Sequence, residues 1–280
     1  NGNGTNLNAL GLNFGTVELG ANVTVLLNTV SNYAIYEGAR LWVNGATVSK
    51  TGGAAVVPYG VLRVSAGILT VDQDSGLTLR VNGVILVEGG TVTVRAIRTS
   101  TAGAGAVGSY IQSGGNVILT GGTVSTSYAT FSLTYTGNVF NMSGGTLTIQ
   151  NRVDLGVGNL RGAIFINSDP ANISVTGGTV VMETDNTVSY RITSRAAFWN
   201  VIMRKTAGSN TTIELIGTTS GTGTAGVDEL TLAAQPLVVL NDFTVEGSTP
   251  VTFLTNSNNL TVSGNLEIQS GATYTPGTNT

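Results

Sequence analysis

The stretch VILVEGGTVTVR, residues 84–95, alternates apolar and polar positions, breaks at a Gly-Gly pair, and resumes the alternation at once. The same wording returns as SGGNVIL (113–119), TGGTVST (120–126), SGGTLTI (143–149) and TGGTVVM (176–182). A period of two marks a strand whose side chains point alternately to its two faces. Hairpins would reverse the chain at each glycine through a two-residue turn, but they predict no longer period, and one is present. From residue 62 the text divides as LRVSAG, ILTVDQDSG, LTLRVNG, VILVEGG and TVTVRA, short strands each followed by a turn that in most cases contains glycine. Three such units make a module of about 21–27 residues. The Gly-Gly pairs at 89–90, 114–115, 144–145 and 177–178 stand 25, 30 and 33 residues apart, with further pairs at 52–53 and 121–122. Near the C-terminus LNDFTVEG (240–247) returns as SGNLEIQSG (263–271).

A parallel β-helix accounts for both periods. Each coil bends at two or three corners, where Gly or Asn takes the left-handed conformation at little steric cost. Equivalent strands of successive coils then stack ~4.8 Å apart. The alternation assigns sides: Val92 and Val94 point into the bore and Thr91 and Thr93 out, as do Leu147 and Ile149 against Thr146 and Thr148. The expected fold class is all-β, a single-stranded parallel β-helix (β-solenoid) of about 12 coils, right-handed by the general preference of parallel crossovers. One elongated domain over 1–280 is expected, with a subtle break near 190–210 where the Gly-Gly punctuation stops. Longer excursions interrupt the period at about 96–112, 150–163, 184–199 and 206–229. Helices should be nearly absent; YRITSRAAFW (190–199) is read as strand or loop.

Composition narrows the function. Charged residues are 10% of the chain, against roughly 25% in an average soluble domain, and Gly is about twice its usual share. A net charge of −3 offers no basic footprint for nucleic acid. With no Cys and no His, disulfides, thiolate metal sites and the Ser-His-Asp or Cys-His nucleophilic sets do not arise. No run approaches 18 apolar residues, so no membrane-spanning helix and no direct membrane insertion is expected. The start NGNGTNLNAL has neither an initiator Met nor a signal-peptide pattern, and the chain reads as a fragment of something longer.

Four groups of residues could carry chemistry. Asp72 and Asp74 lie in DQDSG, a partial match to the opening of calcium loops without their later bidentate Glu. They are the candidate Ca²⁺ ligands; the competing reading is an Asp-Ser-Gly turn. No other cofactor is expected. Arg191, Arg195, Arg204 and Lys205 bracket Phe198 and Trp199, with Tyr190 alongside. Guanidinium groups beside aromatic planes suit sugars or anionic polymers, so Tyr190, Arg191, Arg195, Trp199, Arg204 and Lys205 are the candidate ligand-binding residues. The alternative is that Phe198 and Trp199 fill interior space. Tyr33, Tyr36 and Trp42 form a second aromatic group with the same two readings. Glu183 and Asp185, at i and i+2, share a strand face as an acid/base pair would, and as solvated carboxylates also do.

YIQSGGNVILTGGTV (110–124), VFNMSGGTLTIQN (139–151) and ISVTGGTVVM (173–182) resemble the β-helical repeats of giant cell-surface adhesins of Bacteroidota exported by the type 9 secretion system, the gliding-motility adhesin type. FWNVIMRKTAGSNTTIEL (198–215) and NLTVSGNLEIQSGATYTPGTNT (259–280) resemble the Asn-Leu-Thr-rich modules of the same chains. The resemblance implies an extracellular, non-catalytic rod, flanked by further domains of one long chain and presenting loops to surfaces or surface polysaccharide. The alternatives are a polysaccharide-active lyase or hydrolase of the same fold, and a trimeric shaft like a phage tail-spike.

Overall fold

A computed structural model describes residues 10–28, 31–52, 55–72, 76–99, 107–120, 131–150, 164–184, 190–205, 211–215, 232–247 and 251–276. One turn of the chain shows how it is built. Val84–Val87 runs along a first face and Thr91–Val94, past the Gly-Gly pair, along a second; Ile97–Thr99 makes a third. The next turn repeats this with Ser109–Gln112, Asn116–Leu119 and Phe131–Leu133, each paired with its predecessor. Every strand pairing among the described residues is parallel. Hairpins are thereby excluded, and the pairing of each strand with its counterparts one turn before and one turn after is the pairing of a β-helix. The third face stacks ten strands in one sheet, where dividing the length by the period suggests about twelve coils. No α-helix occurs among the described residues; the one helical turn is the 3₁₀ segment Pro170–Asn172. The stretch 190–199 opens with the strand Tyr190–Ser194.

The Gly-Gly pairs are corners, though not between separate sheets. In Ala39–Thr51, Val61–Val71, Val139–Ile149 and Ile173–Thr184 the ladder continues round the bend, so the first two faces belong to one 13-stranded sheet. The pairing slips at the corner, between Met142, Ser143 and Thr146, which restores the inward phase on both sides. The second glycine of each pair carries the bend: Gly90, Gly115, Gly145 and Gly178 have φ of 68°, 66°, 75° and 91°. A Cβ on Gly115 would also lie 2.7 Å from the carbonyl carbon of Gly89 in the turn before. Left-handed backbone and close stacking thus both demand glycine. Gly52, grouped by sequence with these pairs, sits instead after the second face; the pair at 121–122 lies outside the described residues.

Inward positions stack in columns. Leu41, Leu62, Ile85, Tyr110 and Phe140 form one on the first face, and Val48, Leu69, Val92, Val117, Leu147, Val180 and Val201 one on the second, all buried. Each fully buried aliphatic or aromatic side chain contributes about 1.5–3 kcal/mol. Within the bore, Tyr110, Phe131, Phe140 and Phe198 pack with ring centroids 5.0–6.3 Å apart. Part of the third face is buried on its outer side too: Val57, Ser132, Phe165 and Thr193 are covered, Phe165 by Leu232, while Ala34, Arg98 and Thr252 are half-buried.

On the first two faces, Gln112, Lys50 and Lys205 put polar groups into inward positions. Gln112 stands between Val87 and Met142, fully buried. It accepts from the Tyr110 hydroxyl at 2.7 Å and donates to the carbonyls of Thr146 at 3.1 Å and of Gly114 and Gly115 at 3.3 Å. Burial raises the Tyr110 hydroxyl above its ordinary pKa. Lys50 stands between Leu27 and Val71, its ammonium donating to the carbonyls of Gly52 at 2.5 Å and Thr51 at 3.4 Å. Lys205 is buried at the end of Asn200–Lys205. Burial lowers the pKa of both amines.

Past residue 178 the corner between the first two faces changes chemistry. Asn200 Oδ1 accepts from Asn241 Nδ2 at 2.9 Å and the Asp242 amide at 3.2 Å, and Asp242 Oδ1 accepts from the amide and side chain of Asn265 at 2.9 and 3.0 Å. Here the first face also leaves the large sheet: Leu237–Val239 and Leu260–Val262 pair separately, with Phe198 bridging to Val239. The other two faces run on through 190–215.

Two outcomes follow. Gly115→Ala should lower the unfolding free energy by about 1–3 kcal/mol, from backbone strain and the clash with Gly89, whereas Ser113→Ala, exposed on the same turn, should stay within ~0.5 kcal/mol; urea denaturation reads both. For Lys50, the folded-state pKa lies below the unfolded value of about 10.4, so the unfolded chain binds more protons between the two. The penalty is therefore fully present at low pH and is relieved as pH rises through that window. Wild type should gain stability relative to Lys50→Met between neutral pH and about pH 10, measured by urea denaturation across pH.

Candidate functional surface

The residues singled out by sequence do not form one patch. Tyr190 and Arg191 lie on the third face, in register with Ile213 and Glu214. Arg195 is exposed in the turn that follows and pairs with Asp169 at 3.2 Å. Trp199 is half-buried, while its neighbour Phe198 is 1% exposed and fills the core, as the packing alternative for that residue has it. Arg204 points outward on the second face and Lys205, the next residue, points into the bore; alternation along a strand separates them by construction. Asp72 is bound by Arg95, at 2.7 Å from Nη2 and 2.8 Å from Nε. Asp74 and Asp185 lie outside the described residues. Among the described residues no three His, Cys, Asp or Glu side chains gather as metal ligands would.

The polar side chains instead form ladders along the axis. At the outer end of the second face, Gln150 donates to Glu183 at 2.7 Å, Glu183 faces Arg204 at 3.7 Å, and Arg204 reaches Glu246 at 3.3 Å, so four successive turns are tied. On the first face the Arg63 guanidinium sits 4.2 Å over the Trp42 ring and pairs with Glu88 at 2.6 Å. Trp42 Nε1 donates to Ser65 Oγ at 2.6 Å, Ser65 to Asn44 at 3.0 Å, and Asn44 to Glu18 at 2.7 Å. At the corner before the first face, Tyr36 and Tyr59 stack at 6.3 Å and 9°, and Arg80 lies 5.9 Å over Tyr59. These two rows put aromatic rings and guanidiniums on the outside, where a sugar or acidic polymer can reach their edges.

Arg63, Tyr59 and Arg80 escape a reading that groups residues close in sequence. Tyr33, Tyr36 and Trp42 in fact part company: Tyr33 is buried, donating to the Leu10 carbonyl at 2.8 Å, and the other two join different rows. The signal that finds the rows is the one-turn offset, since bonded partners such as Trp42 and Ser65, or Arg63 and Glu88, are 23 and 25 residues apart.

Comparison with known proteins gives one informative likeness. The chain is 30% identical over 275 residues to "Adhesin BmaC autotransporter" of Brucella suis biovar 1 (strain 1330), covering 84% of this chain and 7% of that protein. It thus spans about 7% of the length of the relative it matches. No protein-family description matches the chain, and no solved structure does.

Replacing Arg204 with Leu leaves Glu183 and Glu246 facing across an uncharged rung. The expected cost is about 1 kcal/mol at low ionic strength, shrinking in concentrated salt as the carboxylates are screened; equal costs at both salt levels would show that the ladder acts by packing alone.

Proposed function

We propose that this chain is a structural and adhesive segment of a bacterial cell-surface or secreted filament. The observation that carries the reading is the unbroken parallel stacking of the third face, ten strands in a single ladder. Such a ladder makes a quasi-one-dimensional rod in which each turn braces its neighbours, wound right-handed by the crossover preference of parallel strands. Likeness to an autotransporter adhesin supports a surface location and a non-catalytic role. Export through the type 9 system rests on the resemblance of the repeats alone.

Contact with surface polysaccharide falls to the outward rows Trp42–Arg63 and Tyr36–Tyr59–Arg80, with Arg195 exposed further along. Flanking structure is the second partner. In the last described turn, Leu266 and Ile268 occupy the columns of Phe243 and Val245, which are fully buried, yet are 47% and 37% exposed. A further β-structured segment stacked on that rung would cover them and pair its strand edge.

Beads coated with the whole chain should be retained on acidic and neutral glycan surfaces. Trp42→Ala with Arg63→Ala should cost about 1–2 kcal/mol of binding, roughly tenfold in affinity. Absence of retention on a broad glycan panel and on host or bacterial cells would remove the adhesive half of the reading.

A further inference from the structure

The second face differs from the other two. Its two outward columns run from the strand Thr24–Asn28 to the strand Asn200–Lys205 in continuous register. Between Thr24 and Ile202 those columns hold no charge and no aromatic ring. Thr dominates, as Thr91 beside Thr93, Thr146 beside Thr148, and Thr47 and Thr70 on neighbouring turns, with Ser, Asn, Ile, Leu or Val elsewhere. Most are exposed or half-buried; Val181 is covered by its neighbours. The ion-pair row of Asp72–Arg95 and Glu183–Arg204 borders the face on one side and the glycine corners on the other.

The make-up of the face excludes the usual partners. A glycan platform needs aromatic planes and an acidic polymer needs Arg or Lys. A protein partner needs Trp, Tyr or Arg anchors and about 800 Å² per side, whereas this strip is roughly 35 Å by little over 10 Å, on the order of 400 Å². What the face does offer is a regular array of methyl and hydroxyl groups, set by the continuous register of its strands. Rungs repeat every ~4.8 Å and outward residues along a strand every ~6.7 Å. The β-branched Thr, Ile and Val residues that fill most of these positions hold few χ1 rotamers, so much of the array is ordered before any ligand arrives. Tetrahedral water hydrogen-bonded at ~2.75 Å places second-neighbour oxygens about 4.5 Å apart and repeats along its stacking axis at about 7.4 Å. Both repeats lie within about a tenth of those of the face.

We propose that this threonine face binds ice: its methyl groups seat in the openings of an ordered water layer and its hydroxyls take lattice positions in it. The activity is separate from adhesion, which uses the aromatic–arginine rows on another face. A single ice crystal grown slowly in a solution of the fluorescently labelled whole chain tests it, with crystal shape and partition of the label into ice as readouts. The expected result is faceted growth and incorporation of label, lost in Thr93→Lys with Thr148→Lys and kept in Asn141→Lys on the first face. Thermal melting checks that each variant folds, and Thr47→Lys with Thr70→Lys answers the same question if the first pair melts abnormally. Unshaped crystals that exclude the wild-type chain would overturn the proposal, as would shaping that survives both lysine pairs in folded protein.

Discussion

Each residue of a strand rests on the residue that held the same place one turn earlier, and that constraint governs the rest of the structure. Parallel in-register pairing directs the backbone hydrogen bonds along the axis and makes every side chain a member of a column. A column tolerates one kind of environment. Valine on valine is dry, arginine on glutamate is a salt link, and a polar residue in the bore must find its partners within its own turn or the next. Gln112 meets that demand with the Tyr110 hydroxyl and three carbonyls, two of them from the glycine corner. A buried amide satisfied in this way fixes the corner where it is; left unsatisfied, it would cost about 1–3 kcal/mol.

Much of the architecture is legible in the sequence because the code is local. The alternation of Thr91 to Val94 and of Thr146 to Ile149 needs only the pleat, and the glycine at each bend needs only the map of allowed φ and ψ. Other features are not local. The burial of Phe165 on the outer side of the third face depends on Leu232, a residue far away in the chain. The Asn200–Asp242–Asn265 corner is marked by no Gly-Gly pair, only by the looser likeness of LNDFTVEG to SGNLEIQSG, although it occupies the same place in the turn. Lys205 reads as one of a basic cluster until strand parity sends Arg204 outward and Lys205 inward. Neighbourhood in this fold is measured in turns, and only the offset of about one period shows which side chains meet.

The same rule explains why surface chemistry comes in strips. A polar network confined to one turn would tie the chain to itself; Gln150, Glu183, Arg204 and Glu246 tie four turns together. Individually such links are weak, but on the outer surface they add to the backbone hydrogen bonds and the buried columns that join the rungs, and they resist the shearing of one turn past the next. The faces are thereby free to differ: one mixed and aromatic, one neutral and rich in threonine, one partly covered.

The equivalence of the corners has a genetic consequence. Because Gly90, Gly115, Gly145 and Gly178 all turn the chain with φ between 66° and 91°, a segment excised or duplicated between two of them would join one left-handed corner to another. Such a change would add or remove whole turns while the inward columns of the remaining turns keep their places, so the number of stacked turns is a quantity that duplication can alter one coil at a time.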